Sequence, residues 1–94
     1  MIKKNLNKSI IRYLKKYNVD RIGIFGSYAR NQNLKNSDLD LLIRFKKNPT
    51  LLQMVRIERE LSEILGIKVD VVTEPSLTDK TLKKNIERDL QIIL

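Results

Sequence analysis

Apolar residues recur with a helical period in three stretches of this chain and crowd into three short runs between them, and that alternation limits the fold more than any other feature. Ile2, Leu6, Ile10, Leu14 and Tyr17 step by four, four, four and three, the stripe of an amphipathic helix whose outer face carries Lys3, Lys4, Lys8, Arg12, Lys15 and Lys16. Asn18 is the expected stop, because Asn tolerates the left-handed conformation that ends helices. Arg21 to Phe25 is too short for a helix and rich in Ile and Phe, so it reads as a strand, with a short helical turn expected over Tyr28 to Asn31 and a loop over Gln32 to Ser37. Leu39 to Phe45 is a second strand. Thr50 is placed to cap a second helix running to Leu65, with Leu51, Met54, Val55, Ile57, Leu61, Ile64 and Leu65 on one broad apolar face and Gly66 as its stop. Lys68 to Val72 is a third strand, Pro75 and Ser76 turn the chain, and Leu82, Ile86, Leu90 and Ile93 step by four, four and three through a closing helix. The pattern predicts an α/β (α+β) fold, a small mixed β-sheet flanked by helices. Residues 1–94 are expected to form a single domain, since a second has no room.

Composition removes whole classes of chemistry. With no Cys and no His, disulfide scaffolds, thiol nucleophiles, Ser-His-Asp triads and Cys/His zinc sites are excluded, which leaves oxygen ligands for any metal. Nineteen Lys and Arg against eleven Asp and Glu give a net charge of +8 and point to an anionic partner. No apolar run approaches the roughly 18 residues that span a bilayer, so no membrane partner is expected and a cytoplasmic location is. A chain this short buries about 60–65% of its unfolded surface, so some apolar surface is expected to be covered by a partner.

Two carboxylates at the mouth of a strand are unusual. If Leu39 to Phe45 is extended, Asp38, Asp40 and Leu42 share one face and Leu39, Leu41 and Ile43 the other. Adjacent anions repel unless a cation lies between them, and without His or Cys the candidates are Mg2+ and Mn2+. Magnesium accepts one or two carboxylates and fills its other positions with water and phosphate oxygens, so a nucleotide is implied with the metal. Gly26 and Ser27 suit the same substrate, because glycine lets backbone approach closely and the following N–H groups can point at an anion. Asp70, from the third strand, is the candidate third carboxylate, able to hold a second ion and to take a proton from an attacking hydroxyl. Arg30 could set a guanidinium over the phosphates or be a surface charge.

The string GSYARNQNLKNSDLDLLIRF from Gly26 to Phe45, followed some thirty residues later by KVDVV around Asp70, resembles the minimal nucleotidyltransferase (MNT) family of the DNA polymerase β superfamily. The likeness runs over nearly the whole chain. It implies the nucleotidyltransferase fold, a metal pair on Asp38, Asp40 and Asp70, and transfer of a nucleoside monophosphate from a triphosphate with release of pyrophosphate. Gly26, Ser27 and Arg30 would bind the nucleotide, and Asp70 would be the base. Many members of that family are antitoxins that add AMP to a tyrosine of a helical HEPN ribonuclease toxin, so the resemblance implies ATP as donor and a HEPN-type toxin protein as partner. One position departs: the family has Gly after the Arg of its G-S-x-A-R string, where this chain has Asn31. Asn31 is not counted in the site.

Plainer readings compete at each position. Phe25, Tyr13, Tyr17 and Tyr28 are expected to pack rather than to stack on bases, since aromatics are only 5% of the chain. Glu58, Glu60 and Glu63 are expected to form a solvated, salt-bridged helix face. Two other functions stay open: a basic nucleic-acid-binding module, although the Lys are spread over several elements, and an interaction protein of the same fold with vestigial catalysis. A homo-oligomer also stays open.

Overall fold

Helix α1 (Lys3–Leu14) continues as a 3-10 turn over Lys15–Tyr17 and stops at Asn18, whose φ of 53° is the left-handed conformation a short amide side chain tolerates. The computed structural model describes residues 3–26, 28, 38–74 and 79–94. The expected turn over Tyr28 to Asn31, apart from Tyr28, lies outside the described residues, as do the loop from Gln32 to Ser37 and the turn at Pro75 and Ser76.

Four strands form one mixed sheet: β1 (Val19–Phe25), β2 (Leu39–Phe45), β3 (Val69–Thr73) and β4 (Gln91–Ile92), in the order β3-β2-β1-β4. β1 runs antiparallel to both β2 and β4, whereas β3 is parallel to β2. A parallel neighbour needs a long crossover, and α2 (Leu51–Leu65) supplies it. The Thr50 hydroxyl accepts from the Gln53 N–H while the Gln53 side chain accepts from the Thr50 N–H, a reciprocal cap. At the other end, Gly66 stops the helix at φ 68°.

The alternation of β2 separates two layers. Leu39, Leu41, Ile43 and Phe45 point to the same side as Ile22 and Ile24 of β1 and Val69 and Val71 of β3, and all are buried against Leu6, Ile10 and Leu14 of α1 and Ile57 and Leu61 of α2. Each such side chain contributes about 1.5–3 kcal/mol through burial. Asp40 and Asp70 therefore face the opposite side. That side is not bare along its length: Leu42, expected beside the aspartates, is buried too, because α3 (Lys80–Asp89) lies across it with Ile86 inward. Gly23 is pressed under the chain leaving α3, where a Cβ would come within 2.5 Å of Leu90 Cδ1.

Two expectations need correction. The closing stripe does not continue through Leu90 and Ile93, since α3 ends at Asp89, Leu90 is extended, and the chain pairs with β1 as β4. The free edge of β1 decides this: Ile22 donates to the Leu94 carbonyl (3.1 Å) and accepts from the Ile93 N–H (2.8 Å), so peptide groups that would otherwise be unpaired find partners. The broad face of α2 is also only partly covered, because Leu51, Leu52, Val55 and Ile64 are exposed while Ile57 and Leu61 alone of the helix are fully inside. Period reports which residues share a side, not whether anything lies against it.

Candidate active site

Strand pairing sets the aspartates. In the parallel register, Asp40 of β2 lies directly beside Asp70 of β3, and the Leu39 N–H donates to the Lys68 carbonyl at 2.8 Å to hold the alignment. Neighbouring strands are about 4.8 Å apart and side chains in register share a face, so Asp40 and Asp70 project together from the side opposite the main core. The Asp38 carboxyl lies next to that of Asp70. Burial, and then the neighbouring Asp38 carboxyl and its charge, push the Asp70 carboxyl above the ordinary carboxylate range, with Lys68 pulling the other way. The Lys68 ammonium is 3.9 Å from Asp38 Oδ2. Two carboxyls facing each other need a proton or a cation between them.

Asp40 meets β1 instead. Its register partner is Phe25, and the next residue, Gly26, has φ +75° and lies so close that a Cβ on it would overlap the Asp40 carboxylate. Only glycine fits both the backbone conformation and that approach. Ser27 and Arg30 lie outside the described residues, as does Asn31. Among the described residues no three acidic side chains converge on one point; Asp38 faces Asp70 while Asp40 is against Gly26. The donors are all hard oxygens, two of them already held face to face, which suits a magnesium-type ion that takes one or two carboxylates and completes its shell with water and phosphate.

Residues of α2 hold the strand that carries Asp70. β3 is an edge strand, and the backbone N–H groups on either side of Asp70 are taken by helix side chains: Val69 donates to Ser62 Oγ (2.9 Å) and Val71 to Glu58 Oε2 (2.8 Å). Ser62 Oγ in turn donates to the Glu58 carbonyl at 2.6 Å. Glu58 is thus not part of a solvated face, while Glu60 keeps to the expected open face among Lys16, Arg56 and Arg59 and also accepts a short hydrogen bond from the Tyr13 hydroxyl. A helical-period count could not find Glu58 and Ser62, because it follows apolar residues; the one available signal was a Glu and a Ser four residues apart beside the buried stripe. Tyr13 is in the core and Tyr17 and Tyr28 pack against it, as the packing expectation had it.

Further along the same face, Glu74 accepts from Arg21 of β1 (2.9 Å) and lies 3.6 Å from Arg44 of β2. One carboxylate so ties three strands, four residues beyond the Asp40 and Asp70 pair.

Comparison with known proteins agrees with this architecture. Residues 7–93 match the profile of the nucleotidyltransferase domain. A relative from Methanocaldococcus jannaschii, provisionally named a protein adenylyltransferase, is 44% identical over 89 residues, covering 95% of this chain and 91% of its own. Protein adenylyltransferase MntA of Thermococcus cleftensis is 40% identical over 62 residues, covering 66% and 63%. Among solved structures, one described as a minimal nucleotidyltransferase superposes with a TM-score of 0.79 at 31% identity over 94% of this chain and 89% of that one. A toxin–antitoxin structure with AMP-PNP shares the fold at a TM-score of 0.84 and 21% identity, over 94% and 72%. A complex of a tri-AMPylated Shewanella oneidensis HEPN toxin with its MNT antitoxin does so at 0.80 and 18%, over 99% and 72%.

Proposed function

This chain belongs to the nucleotidyltransferase domain family and is an enzyme of that class, and we propose that it transfers AMP from magnesium-bound ATP to a hydroxyl of a partner protein, as the antitoxin of a HEPN-type toxin. One observation carries the catalytic part: β2 and β3 are parallel with Asp40 beside Asp70, so the two carboxylates share one face, with the Asp38 carboxyl next to that of Asp70. The partner part is supported by the relatives' adenylyltransferase names and by the fold shared with toxin–antitoxin complexes, one of which contains AMP-PNP and another an AMPylated toxin.

Asp38, Asp40 and Asp70 would hold the metal. When bound, magnesium supplies positive charge against the phosphate oxygens. Gly26, lacking a side chain, lets the polyphosphate approach Asp40, and Ser27 and Arg30 are assigned to its outer phosphates. Asp70 accepts the proton of the acceptor hydroxyl. Its raised pKa makes it a stronger base than an ordinary carboxylate. As the acceptor oxygen bonds to the α-phosphorus, the bond to the bridging oxygen breaks and pyrophosphate leaves.

The test is to incubate the chain with Mg2+, α-labelled nucleoside triphosphates and the product of a neighbouring reading frame. Label from ATP should move to protein, and Asp70→Ala or the pair Asp38→Ala and Asp40→Ala should abolish transfer while leaving the circular dichroism unchanged. No transfer from any triphosphate, together with salt-sensitive RNA binding indifferent to those substitutions, would replace this reading with the nucleic-acid module.

A further inference from the structure

At the end of β2 away from the aspartates, an open cavity of about 530 Å³ lies between the turn after α1 and the loop before α2. It is lined by Lys16, Lys46 and Lys47, by the amides Asn18, Asn48 and Gln53, and by no carboxylate. The two loops are fastened together, since the Lys46 N–H donates to the Asn18 carbonyl at 3.0 Å. Lys16 is held by its ammonium lying 4.5 Å from the Tyr13 ring centroid, with Glu60 the acidic group in its neighbourhood. Lys46 and Lys47 have no ion pair among the described residues. Beside the cavity, on the first turns of α2, Leu51 and Leu52 are 80% and 82% exposed and Val55 is 54% exposed.

Lys46 and Lys47, without an ion pair among the described residues in a cavity lined by no carboxylate, call for an anionic occupant, and bare leucines at the rim call for one that is also apolar. A phosphodiester backbone would use the lysines and leave the leucines in water. An anionic bilayer is too flat to enter a cavity lined by amides. A polypeptide segment satisfies both halves, with carboxylates for the lysines, peptide groups for the amides and aliphatic side chains for the leucines. We propose that this cavity and the adjoining face of α2 form a docking surface for an acidic, leucine-bearing segment of the acceptor protein. The proposal rests on the reading that the acceptor is a protein. Five residues of strand separate Phe45 from Asp40, about 16 Å, so the segment gripped here is not the one that is modified. The surface holds the acceptor while a hydroxyl elsewhere on it reaches the carboxylates.

The test uses the full chain and a fluorescent helix-forming peptide of glutamate and leucine, with a lysine and leucine peptide, oligouridylate and phosphatidylglycerol vesicles as competitors. Saturable binding of the acidic peptide is expected, weakened about tenfold or more by Lys46→Glu with Lys47→Glu, and likewise by Leu51→Asp with Leu52→Asp. These positions are exposed, so thermal midpoint and magnesium-ATP binding should not move. Equal peptide binding by parent and variants, or a preference for oligouridylate or vesicles, would overturn the proposal. So would a dimer in sedimentation that the leucine substitutions dissolve, since a second copy would then be the occupant. Peptide affinity is read without turnover and AMP transfer is read on the aspartate variants, so either reading can fail while the other stands.

Discussion

Gly26 is where a single added methyl group would do most harm. A left-handed backbone costs a non-glycine residue about 1–2 kcal/mol, and here the new Cβ would also displace the Asp40 carboxylate. Gly26→Ala should therefore lower stability by about that amount in urea titration and, unlike an ordinary strained turn, remove AMP transfer as well. Tyr13 and Glu60 give a residue-scale prediction of another kind. The hydrogen bond from Tyr13 is the main cause holding the Glu60 carboxyl below its ordinary range, and burial first, then the same bond, pushes the Tyr13 hydroxyl above its own. A lowered carboxylate pKa contributes stability that is present above the unfolded value and lost as pH falls through the folded one. Tyr13→Phe should thus lower the thermal midpoint at neutral pH and shrink the fall in midpoint on acidification below about pH 4.5. An unchanged acid limb would mean the bond carries no stability.

At the scale of elements, the contact between α2 and β3 separates support from chemistry. Removing the acceptor that Glu58 offers to the Val71 N–H should cost about 1–2 kcal/mol, and should speed hydrogen exchange at Val71 more than at the neighbouring strands. Glu58→Gln keeps a carbonyl acceptor and should restore most of the protection, whereas Glu58→Ala should not. AMP transfer should follow the exchange data, because Asp70 lies between the two tethered N–H groups. These elements also mark what could be read from the chain. Thr50, Gly66 and Asn18 act locally, through a hydroxyl cap or a left-handed backbone, and stand where local chemistry puts them. β2 was legible to its bounds, since its alternation also separates the aspartates from the core. Leu90 and Ile93 misled because a step of three or four is equally met by residues in an extended tail. Glu58 was illegible because its partner is a backbone group thirteen residues on, which no local pattern encodes.

For the molecule as a whole, the gathering of Asp38, Asp40 and Asp70 at one end of the sheet, away from the main core, predicts how metal acts on stability. A ligand that binds only the folded state stabilises it by RT ln(1 + [L]/Kd), about 2.7 kcal/mol at 100 times Kd. Saturating magnesium with a non-hydrolysable ATP analogue should raise the thermal midpoint by roughly 10 °C or more for a chain of this size. With Asp38→Ala and Asp40→Ala together, the rise should vanish while the ligand-free midpoint stays level or climbs, because Asp70 loses the like charge of Asp38 beside it. A ligand-free midpoint that collapses would show instead that the aspartates are structural. The residues of the candidate site that face β2 and β3 were visible in their spacing, but their register depended on α2 returning β3 in parallel beside β2.

Because α1 and α2 bind the sheet from behind, the core is built without the aspartates in front. Copies that lose them by mutation would be spared by proteases that clear unfolded chains. Such copies would persist, inert yet shaped like working ones, and compete for whatever the intact protein engages.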